Sequence, residues 1–305
     1  MLPLILIGKG YDGLMAKFST VGLITKPGDI RLADTVRALL EHLHSKSIDV
    51  IVDETAADLL QDTGMIAQRR DVIVQRCDLG IVIGGDGTLL HAARSLAPFD
   101  IPILGINRGR LGFLVDVSPT EVTSVLDAIL AGKYQEDQRF LLHAQVVRNG
   151  EVIAASDAFN DVVVHVSDVV RMIEVDTYVN EHYLYTQRTD GLIVATPTGS
   201  TAYALSGGGP ILHPSLNAIV LVPICPHTLT NRPIVVDAES HIEIDLSKRT
   251  NPPARVAFDG QVSVDLVPND RIQINRQSHT LRLIQPQGHD YFEILRAKLH
   301  WSEQL

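Results

Sequence analysis

Two cysteines, Cys77 and Cys225, are all that this 305-residue chain carries. That is too few for a disulfide framework or a cysteine-built zinc site. The pair reads as reduced, in a cytoplasmic protein. The chain also lacks an apolar run approaching the ~20 residues that span a bilayer, so no membrane partner is expected. It lacks an excess of basic residues. The net charge is −10, which argues against nucleic acid as a partner and makes any phosphate site a local one. The twelve histidines never fall at H-x-x-x-H or H-E-x-x-H spacing, so no metal site built by protein side chains alone is expected. No repeat or low-complexity tract is present. With 45% hydrophobic and 20% charged residues, the chain reads as globular and long enough for two cored domains.

Against those absences, one stretch stands out. Leu79-Gly80-Ile81-Val82-Ile83 runs into Gly84-Gly85-Asp86-Gly87-Thr88, then into the helix-forming Leu89 to Leu96. That order reads as strand, tight turn, helix. Glycines let backbone N–H groups approach phosphate oxygens, and a helix N-terminus adds its dipole. A carboxylate in such a turn fits a role on a proton or hydroxyl rather than on the phosphate. A plain Gly-rich turn with a capping Asp is the alternative.

Residues 20–134 alternate strand and helix. Strands are expected at Val21–Ile24, Val50–Val52, Leu79–Ile83 and Ile101–Ile106. Leu32, Val36, Leu39, Leu40 and Leu43 fall at helical spacing. Ser118-Pro119-Thr120-Glu121 reads as a capping box opening a helix that buries Val122, Val125, Leu126 and Ile129, with Gly132 past its end. The expected fold class is an α/β N-terminal domain, a parallel sheet flanked by helices, over residues 19–135. After Arg139 short β-type runs dominate, from Leu141–Val147 through Asp161–Val166 and Gly191–Thr196 to Arg271–Ile274 and Leu281–Ile284. Residues 136–285 are expected to form a mostly-β, sandwich-like domain. Residues 286–305 should hold a C-terminal helix, Tyr291 to Lys298, returning to the first domain. Residues 1–18 are expected to be a poorly ordered extension, with Met15 the natural start. The G-x-G-x-x-G match at Gly8 to Gly13 leaves no room for a crossover helix before the strand at Thr20, so it is not read as a dinucleotide fingerprint.

Other polar clusters punctuate the chain. Asn160-Asp161 opens a strand and could grip a sugar, or could be a simple turn. Thr196-Pro197-Thr198-Gly199-Ser200-Thr201-Ala202-Tyr203 packs hydroxyls around one glycine after a strand. With a helix starting near Ser200 it would suit a phosphate or ribose; it is not a Walker A loop. Arg188 and Asp190 sit two apart and would share a strand face. Asn107-Arg108-Gly109-Arg110-Leu111-Gly112-Phe113 follows the fourth strand, beside the expected exit of the Gly84 turn, and its arginines suit phosphates. Asp259-Gly260-Gln261 alone is a turn before a strand.

Together, and in this order, Gly84–Thr88, Gly105–Phe113, Asn160-Asp161, Arg188–Gly191, Thr196–Tyr203, Gly208–Ile211, Pro226–Leu229 and Asp259–Gln261 resemble the NAD kinase family, from about Val21 to the C-terminus. Lipid kinases and phosphofructokinases share the Gly-Gly-Asp-Gly turn, so the resemblance rests on its combination with Thr196–Tyr203. The resemblance implies an active site between an α/β and a β-sandwich-like domain. It implies transfer of the ATP γ-phosphoryl group to the adenosine ribose 2′-hydroxyl of NAD+, with Mg2+ or Mn2+, in a cytoplasmic homodimer or homotetramer. Carried over by position, Asp86 would be the base or hydroxyl-orienting group. Gly87 would approach the NAD phosphates. Asn160 and Asp161 would hold ribose hydroxyls and adenine-side groups. Asp190, Thr201, Ala202, Tyr203 and Ser206 would line the NAD site and Gln261 would close it. His91, Arg171, Arg188, Thr198, Ala204 and Leu205 would be further nucleotide contacts, with Arg188 the form associated with ATP rather than polyphosphate. Relatives usually carry Glu where this chain has Asp161; the shorter carboxylate would reach the nucleotide through a water. A lipid kinase and a non-catalytic NADP(H)-binding regulator are the competing readings.

Overall fold

The computed structural model describes residues 18–59, 67–167, 172–250 and 253–301. The motif at Gly8 to Gly13, Met15 and Arg171 lie outside the described residues. Of the expected extension only Phe18 is described. It is 3% exposed and packs on Tyr134, ring centroids 5.8 Å apart, so it belongs to the core.

Four strands, β1 (Thr20–Thr25), β2 (Asp49–Val52), β3 (Leu79–Ile83) and β4 (Ile103–Ile106), run parallel in the order β2-β1-β3-β4. Both faces of these strands are covered. Leu23, Ile81, Ile83, Leu104 and Ile106 point to one side. There α1 (Ala33–Ser45) and α4 (Val122–Leu130) bury Val36, Leu39, Leu43, Leu126 and Ile129. Ile24, Val82 and Ile103 point to the other side. There α2 (Arg70–Arg76) and α3 (Asp86–Leu96) bury Ile73, Leu89, Leu90 and Leu96. The alternation is the period of two that every strand imposes.

The capping box is not realised. Pro119 to Glu121 form a turn, and α4 begins only at Val122 with no side-chain cap. Ser118 Oγ instead meets Thr120 Oγ1, 2.8 Å away. The far end behaves as read, with Gly132 at φ +76° and its N–H on the Ile129 carbonyl.

The remaining strands make a sandwich. β5 (Tyr134–Arg148) and β16 (Arg271–Pro286) pair antiparallel along their whole lengths, with one irregularity between Arg276 and Thr280. The two runs expected at Arg271–Ile274 and Leu281–Ile284 are thus one strand. The ribbon joins the parallel strands to β6 (Glu151–Ala158), β8 (Ile173–Val179), β9 (His182–Thr189) and β13 (Ile242–Leu246) in a sheet of ten among the described residues. A second, antiparallel sheet has the order β12 (Ile234–Asp237), β11 (Ala218–Ile224), β10 (Gly191–Ala195), β7 (Asp161–Val166), β14 (Ala254–Phe258), β15 (Val262–Leu266). Val162, Val164, Leu192, Val194 and Phe258 face Ile173, Ile242, Ile272 and Ile274 across the core between the sheets. On the other face Val163, Ile193, Ala195, Val220 and Val222 are covered by Ala204 and Leu212. The segment after β10 therefore lies on the outside of the second sheet, and its first residues reach β7 at the Asn160 corner.

α6 (Tyr291–Leu299) begins at Asp290, whose carboxylate accepts from Phe292 N (2.8 Å). Near its end Lys298 Nζ donates to the Leu111 carbonyl (2.9 Å) and lies over the Phe113 ring. This last helix is thus tied to the loop that follows β4.

Candidate active site

Asp86 is the first residue of α3, directly beyond the carboxyl end of β3. Its two carboxylate oxygens accept from the backbone N–H groups of Leu114 (3.0 Å) and Phe113 (3.1 Å). Gly84 N donates to the Ile106 carbonyl (2.9 Å), which brings the arginine-bearing loop beside the Gly84 turn as the sequence suggested. Gly112 is required there: a Cβ on it would intrude on the Asp86 carboxylate and come within 2.6 Å of Val115 Cγ2. The glycine leaves room for the carboxylate to stand against the loop.

Two chambers meet at this turn, and a third lies beyond the Asp259–Gln261 turn. The first, about 720 Å³, is lined by Gly84, Gly85, Asp86, Arg31, Arg108, Arg110 and Lys298. Its charge is mainly positive, although Arg108 is also held by Asp29 (2.6 Å). Arg31 and then Arg108 hold the Asp29 carboxyl well below the usual carboxylate range. The second chamber, about 400 Å³, shares Gly85 and Arg108 with the first and adds Thr25, Lys26, Arg70, Gly87, His91 and Gln261. Burial, then Arg70 and Arg94, push the His91 imidazole below its ordinary value. The third, about 330 Å³, is lined by Asn160, Asp161, His165, Ala202, Tyr203, Asp259 and Gly260. The turn from Asp259 to Gln261 is the wall between the second and third.

Asn160 Oδ1 is buried and has no hydrogen-bond partner. An unpaired buried acceptor is costly, and this one belongs to a residue that lines the third chamber. Asp161 is 4% exposed, and its carboxyl is pushed up to about 7, by burial first and by Asp259 second. Between the ordinary carboxylate value of about 4 and about 7, the folded chain holds a proton that the unfolded chain has lost. Stability therefore falls as pH rises through that window, and above it the buried carboxylate opposes folding. We expect Asp161→Asn to raise the melting temperature by several degrees near the alkaline side of neutrality and hardly at all below the ordinary carboxylate value. Thermal melts across pH check this; an equal gain at both ends would contradict it.

Other expected residues lie farther out. Thr198 is 8% exposed and its Oγ1 accepts from Arg139 Nη1 (3.1 Å). Thr201 Oγ1 donates back to the Thr198 carbonyl (3.2 Å). The helix expected from Ser200 is a three-residue 3-10 turn, Gly199–Thr201, followed by the single turn of α5 (Tyr203–Ser206). Such short pieces supply little dipole. Ala204 is wholly buried on the sheet. Leu205 is half-buried and Ser206 exposed. Arg188 and Asp190 do not share a strand face, because β9 ends at Thr189 and Asp190 is the corner between the two sheets. Arg188, Asp190, Thr198, Thr201, Ala204, Leu205 and Ser206 line none of the three chambers. The structure adds Lys26, Arg70 and Lys298 to the lining, and Arg94 behind the Asp259–Gln261 turn, none of which the sequence singled out. A separate cavity of about 640 Å³ between β5 and α6 holds none of the expected residues except through Arg139, the partner of Thr198.

Comparison with known proteins gives a consistent result. Residues 21–134 match a family model described as the ATP-NAD kinase N-terminal domain, and residues 159–285 one described as the ATP-NAD kinase C-terminal domain. A Nitrosococcus oceani protein named NAD kinase is 49% identical over 292 residues, 95% of this chain and all of the relative. A Chromohalobacter salexigens protein of the same name is 48% identical over 95% of this chain and 99% of its own. Among solved structures, yeast NADH kinase in complex with NADH aligns with a TM-score of 0.86 at 26% identity, covering 95% of this chain and 89% of that one. An Archaeoglobus fulgidus NAD kinase in complex with ATP aligns with a TM-score of 0.72 at 26% identity, covering 92% and 98%.

Proposed function

The chain belongs to the NAD kinase family, and from that premise we propose that the chambers around Asp86 are where it phosphorylates NAD+. The enzyme moves the γ-phosphoryl group of ATP to the adenosine ribose 2′-hydroxyl of NAD+, giving NADP+ and ADP. The observation that carries this siting is the Asp86 carboxylate, held by two backbone N–H groups in the first chamber, together with the unpartnered, buried Asn160 Oδ1 at the third.

The acceptor lies across the second and third chambers in this reading. Asn160 and Asp161 take ribose hydroxyls and adenine-side donors, Tyr203 offers a ring at 48% exposure, and Gly87 and Gln261 face the phosphates. ATP places its phosphates in the first chamber, where Arg108, Arg110 and Lys298 balance their charge. Among the described residues no group of three or more His, Cys, Asp or Glu side chains is placed to hold a metal ion. We treat Mg2+ or Mn2+ as arriving on the ATP phosphates, as part of the donor.

Phosphoryl transfer asks mostly for positioning and charge stabilisation. The Asp86 oxygens each spend one lone pair on a backbone N–H, which fixes the carboxylate plane. Each keeps further acceptor capacity for a hydroxyl. Asp86 orients the 2′-hydroxyl and takes its proton as the new oxygen–phosphorus bond forms. The bond from γ-phosphorus to the bridging oxygen breaks, and the electron pair leaves with ADP. The test is NADP+ formation from NAD+ and Mg-ATP, followed with an NADP-specific dehydrogenase, with polyphosphate as a second donor. Turnover with ATP and not with polyphosphate is expected. Tight NAD+ binding without turnover would instead point to a regulator.

We also infer a homodimer or homotetramer in the cytoplasm. Leu229 is 95% exposed, and Val235 on the edge strand β12 is 45% exposed. Exposed apolar groups at a sheet edge invite a second copy. Sedimentation should give a species larger than 33.4 kDa; a monomer at micromolar concentration would contradict this. Among the described residues no helix is long and apolar enough to cross a membrane.

A further inference from the structure

Arg94 lies on α3, the helix that begins with Asp86, and its side chain is 12% exposed. Its guanidinium reaches across to the turn between the second and third chambers. Nη1 donates to Asp259 Oδ2 at 2.6 Å, and Nη2 donates to Gln261 Oε1 at 2.5 Å. Each of those partners passes the contact on. The Asp259 carboxylate, 0% exposed, accepts from the backbone N–H groups of Phe159 (3.1 Å), Asn160 (2.7 Å) and Asp161 (3.3 Å). Gln261 Nε2 donates to the Gly87 carbonyl at 2.7 Å. One side chain therefore fastens the Asn160 corner and the first turn of α3 to the same point.

We propose that Arg94 is a positioning residue for the acceptor nucleotide, holding the Asn160–Asp161 corner at a fixed distance from Asp86. The inference rests on the reading of these chambers as the NAD+ site. The physics favours a fork over a point charge. A guanidinium presents parallel donors in a rigid plane, so it satisfies a carboxylate and an amide oxygen at once. The contact joins elements from the two lobes, 165 and 167 residues apart in the chain, so it fixes relative placement rather than local structure. A displacement of about 1 Å between reacting groups costs on the order of a hundredfold in rate. ATP, in the first chamber, touches none of this network.

The test compares wild-type enzyme with Arg94→Lys and Gln261→Met. Lysine retains a cation for the buried Asp259 but cannot hold Gln261 in the same geometry. Gln261 is exposed, so its replacement removes the link, together with the contact Gln261 itself offers the phosphates, without burdening the core. Arg94 lines none of the three chambers, so Arg94→Lys carries the decision. Both variants should lower kcat/KM for NAD+, Arg94→Lys by about tenfold or more. KM for ATP should stay within about twofold and the melting temperature within a few degrees of wild type. Equilibrium binding of NAD+ to the same proteins, without ATP, should weaken in parallel. That arm separates this inference from the proposed activity: wild type that binds NAD+ without turning over sinks the activity, and the binding ratios still decide on Arg94. Unchanged NAD+ affinity and kcat/KM in Arg94→Lys would overturn the proposal. Equal losses toward both substrates, accompanied by a lower melting temperature, would do so too, since they mark a merely structural pair.

Discussion

Asp86→Asn should abolish nearly all NADP+ formation while the protein stays folded and still binds NAD+. Loss of a positioned base typically costs ~10²–10⁴-fold in rate. The substitution is nearly isosteric, but it is not silent in the fold. Asn offers one acceptor oxygen where Asp86 uses two, for Phe113 N and Leu114 N. Its amide group would face one of those N–H groups, and losing that hydrogen bond costs about 1 kcal/mol. A small drop in melting temperature is therefore expected beside a large drop in kcat, with NAD+ affinity within a few fold. Steady-state kinetics and calorimetric binding on the same sample read all of these. A variant retaining half the wild-type rate would remove Asp86 from its central role.

Gly199→Ala should weaken the acceptor side. Gly199 N donates to Thr196 Oγ1 (3.0 Å), and Thr196 Oγ1 in turn donates to the Phe159 carbonyl (2.7 Å). Thr196 N meets the Asn160 carbonyl (2.9 Å). The loop after β10 is thus knitted to the Asn160 corner with Gly199 at the seam. A Cβ on Gly199 would overlap the Asn160 backbone, 2.7 Å from its Cα. Backbone cannot rotate away as a side-chain end can, so the loop and the corner must separate. Overpacking of this kind costs ~1–3 kcal/mol. Because the strain falls on Asn160, KM for NAD+ should rise about tenfold or more, which is ~1.4 kcal/mol of binding, while KM for ATP changes little. Unchanged KM for NAD+ with an unchanged melting temperature would show that the seam is not tight.

Much of this was visible in the residues. The Gly-Gly-Asp-Gly turn sits between β3 and α3 as its flanking patterns require. The buried stripes of α1 and α4 were legible because Val36, Leu39 and Leu43, and Val122, Leu126 and Ile129, repeat at helical spacing. Three strands and a helix carried too little signal. β9 faces inward with Gln187 and Thr189 rather than with apolar side chains. β12 and β14 are only four and five residues long. α2 buries one residue, Ile73, and its Val-Ile-Val reads as strand. The middle of β16 is polar from Asn275 to Thr280, so one long strand resembled two. In the proposed site, residue type pointed to Asp86 and the family resemblance to Asn160, whereas neither pointed to Arg94. Its meaning depends on Asp259, 165 residues distant, and on a contact between lobes that no local pattern encodes. Asp259 itself read as an ordinary turn residue, because its φ of +50° and the three backbone N–H groups it gathers exist only in the fold.

The most direct measurement is 31P NMR of a reaction containing the enzyme, NAD+ and Mg-ATP. A new phosphomonoester resonance on the adenosine ribose 2′-oxygen is expected, growing in step with ADP, one for one. ATP consumed without that resonance, or a phosphate placed on the 3′-oxygen, would contradict this expectation.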